Sequence, residues 1–170
     1  MLEASGLAVR RPRFGVRVAP MSIVELDHIF ACRMPLEALS ARDLAESPPT
    51  DGSVEALHGV LDQMEAASGT GDPEETFFAN AEYSSAFNRL VPNRVLARLI
   101  EQLSKPALRY RHLTYMERPQ MIPFSLDKNR RVVDAVLGRR PDEAAQLTRE
   151  LIQASWDLMR SSGVLPPADA

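Results

Sequence analysis

The sequence predicts an all-α protein, an antiparallel bundle of about six helices with a short β-hairpin in front of it. Three observations carry this. Apolar residues recur at helical spacing along most of the chain, the signature of helices that bury one face. The breaks between these stretches are short and rich in Pro, Gly and Ser, which makes neighbouring helices antiparallel. Only the stretch before Pro20 alternates apolar and polar residues, as a strand pair does.

In chain order, Met1–Gly6 reads as the end of a helix stopped by Gly6. Leu7-Ala-Val-Arg-Arg-Pro, Arg13-Phe-Gly and Val16-Arg-Val-Ala then fold back as a hairpin, and two strands alone need something to lean on. Ser22 and Glu25 form a capping box ahead of Ile23, Leu26, Ile29 and Phe30. That helix reads on to Leu44, with Pro35 bending it. After the break Ser47-Pro-Pro-Thr-Asp-Gly, Ser53 caps a stripe of Val54, Leu57, Val60, Leu61 and Met64. Pro73 opens a helix to Leu90, where Glu74 and Glu75 favour the helix dipole and need no catalytic explanation. A long helix over Arg94–Met116 places Leu96, Leu99, Ile100 and Leu103 on one side, with a kink at Pro106. Helices over Ser125–Leu137 and Asp142–Ser161 complete the bundle, the last with a seam of Leu147, Leu151, Ala154 and Leu158. The tail from Ser162 to Ala170 is expected to be loose.

Bulk properties narrow the function. Apolar residues make up 45% of the chain and charged ones 25%, an ordinary globular composition. The formal charge of −3 gives no global basic field for nucleic acid. Locally the balance reverses, because Arg10, Arg11, Arg13 and Arg17 face only Glu3 among residues 1–20. A single cysteine, Cys32, fits a reducing compartment. With no secretory h-region and no membrane-length apolar run, the expected location is the cytoplasm. No glycine-rich phosphate loop, no nucleophile with a partner histidine and no Glu-x-x-His element stands in the chain, so an enzyme is not expected.

Two segments together resemble a known family. The run from Leu2 through Gly6-Leu7 to Pro20 looks like the end of the winged-helix domain of GntR-type transcription regulators, where a recognition helix is followed by a basic, glycine-turned wing. The remainder resembles the effector-binding FCD domain of the FadR branch. Arg33-x-x-Leu36-Glu37 fits it, as do Glu82-Tyr-Ser-Ser-Ala-Phe-Asn-Arg-Leu90, Pro92-Asn93, Asn129-Arg-Arg-Val-Val-Asp-Ala-Val and the Pro-Asp-Glu-Ala-Ala start of the last helix. The resemblance implies three parts: 1–20 as a winged-helix remnant, 21–162 as the effector-binding and dimerisation bundle, and 163–170 as a tail. It also implies a homodimer that senses a small metabolite, usually a carboxylate. DNA binding is expected only where a complete winged helix precedes the wing, since Met1 falls near the last turn of the base-reading helix.

The same resemblance sets a test for metal. Many FCD domains hold a divalent cation with an Asp and a His four residues apart and two further histidines. Here those positions fall on Ser84, Asn88, Asn129 and Leu151, or Ile152 if the last turn is shifted by one. Serine and asparagine are poor ligands for a transition metal and leucine is none, so no metal cofactor is expected. His28, His58 and His112 show no paired spacing and read as surface or satisfied histidines. Ser84, Asn88 and Asn129 are left as a neutral hydrogen-bonding pocket, or as polar groups paired with one another. An anionic effector then needs another cation, for which Arg111 is the candidate with Tyr110 beside it. An exposed Arg111 is the alternative. The wing arginines Arg10, Arg11, Arg13 and Arg17 suit phosphate contact or a solvated strand face. Trp156 reads as a packing anchor. The mixed run from Tyr110 to Tyr115 reads as a bundle seam in preference to a nucleic-acid stacking surface. The functional expectation is a ligand-sensing, dimerising regulator domain, and its rival is a degenerate helical interaction module without ligand or DNA.

Overall fold

A computed structural model of the chain describes residues 8–11, 15–47, 50–119 and 123–165. The alternating stretch forms β1 (Ala8–Arg11) and β2 (Gly15–Val18), paired antiparallel with Ala8 opposite Val18. Gly15 takes a φ of 79° as the chain re-enters the second strand, a left-handed conformation that glycine adopts without strain. Val16 and Val18 remain exposed on this ribbon, while Ala19 just beyond it is buried. The expected helix end at Met1–Gly6 and the side chain of Arg13 lie outside the described residues.

Six helices follow among the described residues: α1 (Ile23–Glu46), α2 (Asp51–Thr70), α3 (Pro73–Leu90), α4 (Arg94–Glu117), α5 (Pro123–Leu137) and α6 (Pro141–Ser161). Each start has a local cause. Asp72 accepts from Glu74 N and Asn93 from both Val95 N and Leu96 N, which satisfies donors that a helix end otherwise leaves open. At α2 the cap is Thr50 and not Ser53, because the two side chains exchange hydrogen bonds with each other's backbone; Ser53 is the third residue of the box. Helix α6 has no side-chain cap, and Pro141, Asp142 and Glu143 in its first turn supply the missing preference.

The entry to α1 departs from expectation in an informative way. Ser22 Oγ accepts from Glu25 N at 3.1 Å, but the Glu25 carboxylate does not return to Ser22. It accepts instead from the Tyr110 hydroxyl at 2.8 Å, and Tyr110 in turn accepts from Ser22 N at 3.2 Å. A tyrosine on α4 thus completes the box. Beside it, Arg109 donates to the Ala19 carbonyl at 2.6 Å, so α4 holds the segment that joins hairpin to bundle.

Both prolines that were expected to bend helices lie inside unbroken ones, Pro35 in α1 and Pro106 in α4. The buried face of α4 is Leu96, Ala97, Ile100, Ala107, Tyr110, Arg111 and Thr114, whereas Leu99 is exposed. At the C-terminal end, Leu165 packs with Leu26, Phe30, Tyr110 and Met159. The tail is therefore anchored as far as Leu165, because that side chain gains more from the apolar cluster than the turn loses in freedom. Trp156 is the expected anchor: it packs beside Phe30, and its indole N–H donates to Asp27 at 2.7 Å.

Of four apolar clusters among the described residues, the two with the most members organise the bundle. One joins α2, α3 and α5 with the ends of α1 and α6, through Leu57, Met64, Tyr83, Val133 and Leu147 among others. The other joins the first half of α1 to α4 and the second half of α6. Between them lies a region that is not apolar, and the site described below occupies it. No helix among the described residues is long and apolar enough to cross a membrane.

Burial and the Glu25 carboxylate push the Tyr110 hydroxyl up to about 12. A group raised from about 10 contributes stability that is whole below pH 10 and lost as the pH rises through 12. Urea midpoints measured between pH 8 and pH 12 should fall less steeply for Tyr110→Phe than for the parent, and at pH 8 the variant should be less stable by about 1 kcal/mol. Parallel slopes for the two proteins would show that the grip on Glu25 does not couple to folding.

Candidate functional site

Five of the six described helices contribute to one internal cavity of about 90 Å³. Helical periodicity explains who reaches it. On α3, Asn80, Ser84 and Asn88 recur every four residues and so share a face. From α4 come Ile100, Ser104, Arg111 and Tyr115; from α1, Arg33 and Glu37; from α5, Ser125 and Asn129; and from α6, Thr148, Leu151 and Ile152. Helix α2 stays outside.

The charged groups are few and unevenly matched. Arg33, 4% exposed, donates from Nε to Glu37 at 2.7 Å and lies 4.9 Å from the centre of the Phe30 ring. Its charge is compensated. Arg111 is 8% exposed, and its single hydrogen bond among the described residues goes to Ser84 Oγ at 3.4 Å. No described carboxylate forms an ion pair with it. Burial pulls its guanidinium below the usual arginine range; Tyr115 opposes the shift, Arg33 adds to it, and Glu37 opposes it. Burial also raises the Tyr83 hydroxyl, with Glu37 reinforcing the shift, so that lining group is neutral.

The amides are oriented by their surroundings. Asn80 donates to Ser125 Oγ at 3.2 Å, and Tyr115 shares the same hydroxyl at 3.3 Å. Asn129, 3% exposed, turns its amide nitrogen toward Met64 Sδ at 3.6 Å. Asn88 donates to the Ala97 carbonyl at 2.9 Å, which fixes its amide because a carbonyl oxygen only accepts. The remaining oxygen, Oδ1, is buried and has no partner among the described residues.

The cavity brings together five of the six expected pocket residues: Ser84, Asn88, Asn129, Leu151 and Arg111. Tyr110 is the correction. It points to the opposite side of α4, into the cluster with Leu26 and Phe30, with its hydroxyl on Glu25. Tyr110 is thus turned into that cluster, while Arg111, one position on, lines the cavity. Arg111 faces it in phase with Ile100 and Ser104, not with the exposed Leu99. Site residues that sequence reasoning did not place there are Arg33, Glu37, Asn80, Tyr115 and Ser125. Only the Arg33-x-x-Leu36-Glu37 spacing signalled any of them, since i, i+4 charges meet on one face. Of the wing arginines, Arg17 is exposed on β2, Arg10 and Arg11 lie on β1, and Arg13 is outside the described residues.

A divalent metal does not fit this site. Among the described residues no group of three or more His, Cys, Asp or Glu side chains could hold one. His28, His58 and His112 are all exposed. Ser84, Asn88, Asn129 and Leu151 present a hydroxyl, two amides and an apolar side chain, and the Arg111 guanidinium lies against Ser84, where it repels a second cation.

Fold and cavity define a helical-bundle domain built around a central site of mixed polar and apolar lining, in which Arg111 has no ion-pair partner among the described residues. The FCD domain family matches residues 28–154, and the chain belongs to that family. Among solved structures, Escherichia coli McbR/YncC is 20% identical with a TM-score of 0.82, covering 94% of this chain and 79% of its own. A Streptococcus agalactiae GntR protein is 19% identical with a TM-score of 0.65, covering 92% and 77%. A GntR family transcriptional regulator from Pseudomonas syringae pv. tomato is 19% identical with a TM-score of 0.57, covering 94% and 68%. At these identities the likeness is one of fold. A sequence search of curated proteins gives no match.

A buried cation without a counter-ion is a cost to the fold. Arg111→Met should therefore raise stability in ligand-free protein by about 1 kcal/mol or more, read by urea denaturation. Glu37→Gln should lower it by about 2–3 kcal/mol, because Arg33 is then left buried without its partner. Destabilisation by Arg111→Met comparable to that of Glu37→Gln would show that Arg111 has a structural counter-charge.

Proposed function

We propose that this chain is the effector-binding and dimerisation part of a GntR-type transcription regulator, and that a small metabolite entering the central cavity is the signal. The observation that carries the reading is Arg111, a nearly buried guanidinium that lines the central cavity and has no ion-paired carboxylate among the described residues. Bundles that only present a surface to a partner gain nothing from such a group. Membership of the FCD domain family supports the same reading. The predicted homodimer is supported by large apolar side chains left exposed on α1 and α4, Leu39, Val95 and Leu99. DNA contact through Arg10, Arg11, Arg13 and Arg17 would be phosphate contact by a wing and requires a recognition helix beside it. No catalytic step is assigned, and the assigned location is the cytoplasm.

Thermal-shift screening against small carboxylates, sugar acids and acyl compounds tests the reading. A ligand at a hundred times its dissociation constant contributes about 2.7 kcal/mol, a rise of roughly 5–10 °C for a domain of this size. The rise should vanish in Leu151→Trp, which fills the cavity while keeping an apolar side chain. Light scattering should give the mass of two chains. A monomer that no compound stabilises would favour an inert interaction module instead.

A further inference from the structure

The part of α4 that lines the cavity also holds the stem of the hairpin, and its attachments lie on opposite sides of the helix. We propose that the segment of α4 after Pro106 is a lever between cavity and hairpin: the more firmly Arg111 is held at α3, the more weakly Arg109 and Tyr110 hold the stem from Ala19 to Glu25.

The hairpin depends on that hold. All of β2 is exposed, Val16 and Val18 included, and no extensive helix packing steadies the ribbon among the described residues. Met21 and Ile23 rest against the apolar cluster of Leu26 and Phe30, which fixes the chain from Met21 inward. Ahead of Met21, the Arg109 guanidinium holds the Ala19 carbonyl at 2.6 Å and so sets the direction in which the ribbon leaves. Tyr110 closes the other side of the stem, accepting from Ser22 N at 3.2 Å and donating to the Glu25 carboxylate at 2.8 Å.

Arg111 works against this clamp. Arg109 and Arg111 are two positions apart, about 200° around the helix, so they leave α4 on nearly opposite sides. Arg109 reaches the stem, whereas Arg111 reaches Ser84 on α3. Ser84 Oγ donates to the Asn80 carbonyl at 3.1 Å and accepts from Arg111 at 3.4 Å. That one long hydrogen bond is weak beside the short, charge-assisted ones of the clamp, and the balance lies with the stem. A negative charge beside Ser84 shifts it, because a guanidinium binds a carboxylate more strongly than a hydroxyl. Drawing the segment toward α3 lengthens the bonds of Arg109 and Tyr110. Pro106 gives the segment its freedom: it has no N–H for the Gln102 carbonyl, and helices bend most readily at such a point. The half of α4 before it is pinned separately, by Leu96, Ala97 and Ile100 in a cluster with Val91.

An anion of the kind the effector reading calls for would work the lever in the same way. The coupling itself belongs to the chain and is tested without a ligand, so its failure leaves the effector reading untouched. Amide hydrogen exchange at Ser22, followed by NMR in the full chain, reads the clamp, and exchange at the buried Val133 reads the fold. Tyr110→Phe removes the acceptor and should speed Ser22 exchange about 3–10-fold, the worth of one hydrogen bond. It should also lower the backbone order parameters of Gly15–Val18. Ser84→Asp sets a fixed carboxylate beside Arg111 and should speed Ser22 exchange by a similar factor, with Val133 no faster. Ser84→Asn, of the same size and uncharged, should leave Ser22 within about twofold of the parent. Arg111→Met removes the pull toward α3 and should slow Ser22 exchange. A folded Ser84→Asp whose Ser22 exchanges no faster than in Ser84→Asn overturns the lever. Unchanged hairpin order in Tyr110→Phe does so too, by making the clamp local to α1. Should Ser84→Asp lose protection at Val133, Arg111→Met decides: slower exchange at Ser22 supports the lever, and equal or faster exchange overturns it.

Discussion

The middle of α1 is the constraint on which the rest of the bundle depends. This helix packs against α4, α5 and α6, so it must present more than one buried face. It does so with small residues, Ala38, Ser40, Ala41 and Ala45, toward one end and with Leu26, Ile29 and Phe30 toward the other. Between these two apolar stretches sit Arg33 and Glu37, which could be buried only as a pair. Their neighbours on the other helices mix amides and hydroxyls with apolar side chains such as Ile100, Leu151 and Ile152. A polar layer has thus been built across the bundle, and the cavity is where that layer does not close.

Much of the fold was legible because its signals are local. Caps, first-turn prolines and apolar periodicity sit within a few residues of what they specify, so helix ends came out close to Ser47, Asp72, Asn93 and Leu137. Failures of detail share a cause, which is a partner distant in sequence. Glu25 read as the second half of a capping box, and a tyrosine 85 residues away displaced it. Leu165 read as tail, and an apolar cluster from α1, α4 and α6 captured it. The turn after α5 shows a subtler case. Gly138 marks it, yet the left-handed residue is Arg139 at a φ of 56°. Gly138 is there because a Cβ would lie 2.8 Å from the Asp134 carbonyl oxygen.

The site was legible in part, through the resemblance and through i, i+4 spacing on α3. Ser84 and Asn88 share a face on any regular helix, so their joint appearance at the cavity needed no tertiary information. Arg111 depends on the phase of α4 across Pro106, and neighbouring residues of that helix serve opposite purposes. Arg109 and Tyr110 hold the chain entering α1, while Arg111 lines the cavity. Nothing in the residue types says which of three consecutive polar side chains turns inward. Arg33 offered a spacing but no direction, since an i, i+4 ion pair is more often a surface feature.

With Arg111 as the proposed anion-holding group, the site differs in kind from a metal site. A bound ion contributes a charge that comes and goes with metal supply and with protonation of its ligands. Arg111 is covalently fixed and ionised at any physiological pH, so its charge is present in the empty bundle as well as the occupied one. The empty state therefore carries an electrostatic penalty that a metal site avoids by losing its ion. An anion that enters relieves that penalty. Part of its binding free energy is thus the removal of a defect already present, not the formation of new contacts alone. The buried Asn88 oxygen adds a smaller cost of the same kind, because an unsatisfied acceptor is unfavourable wherever it is sealed from water.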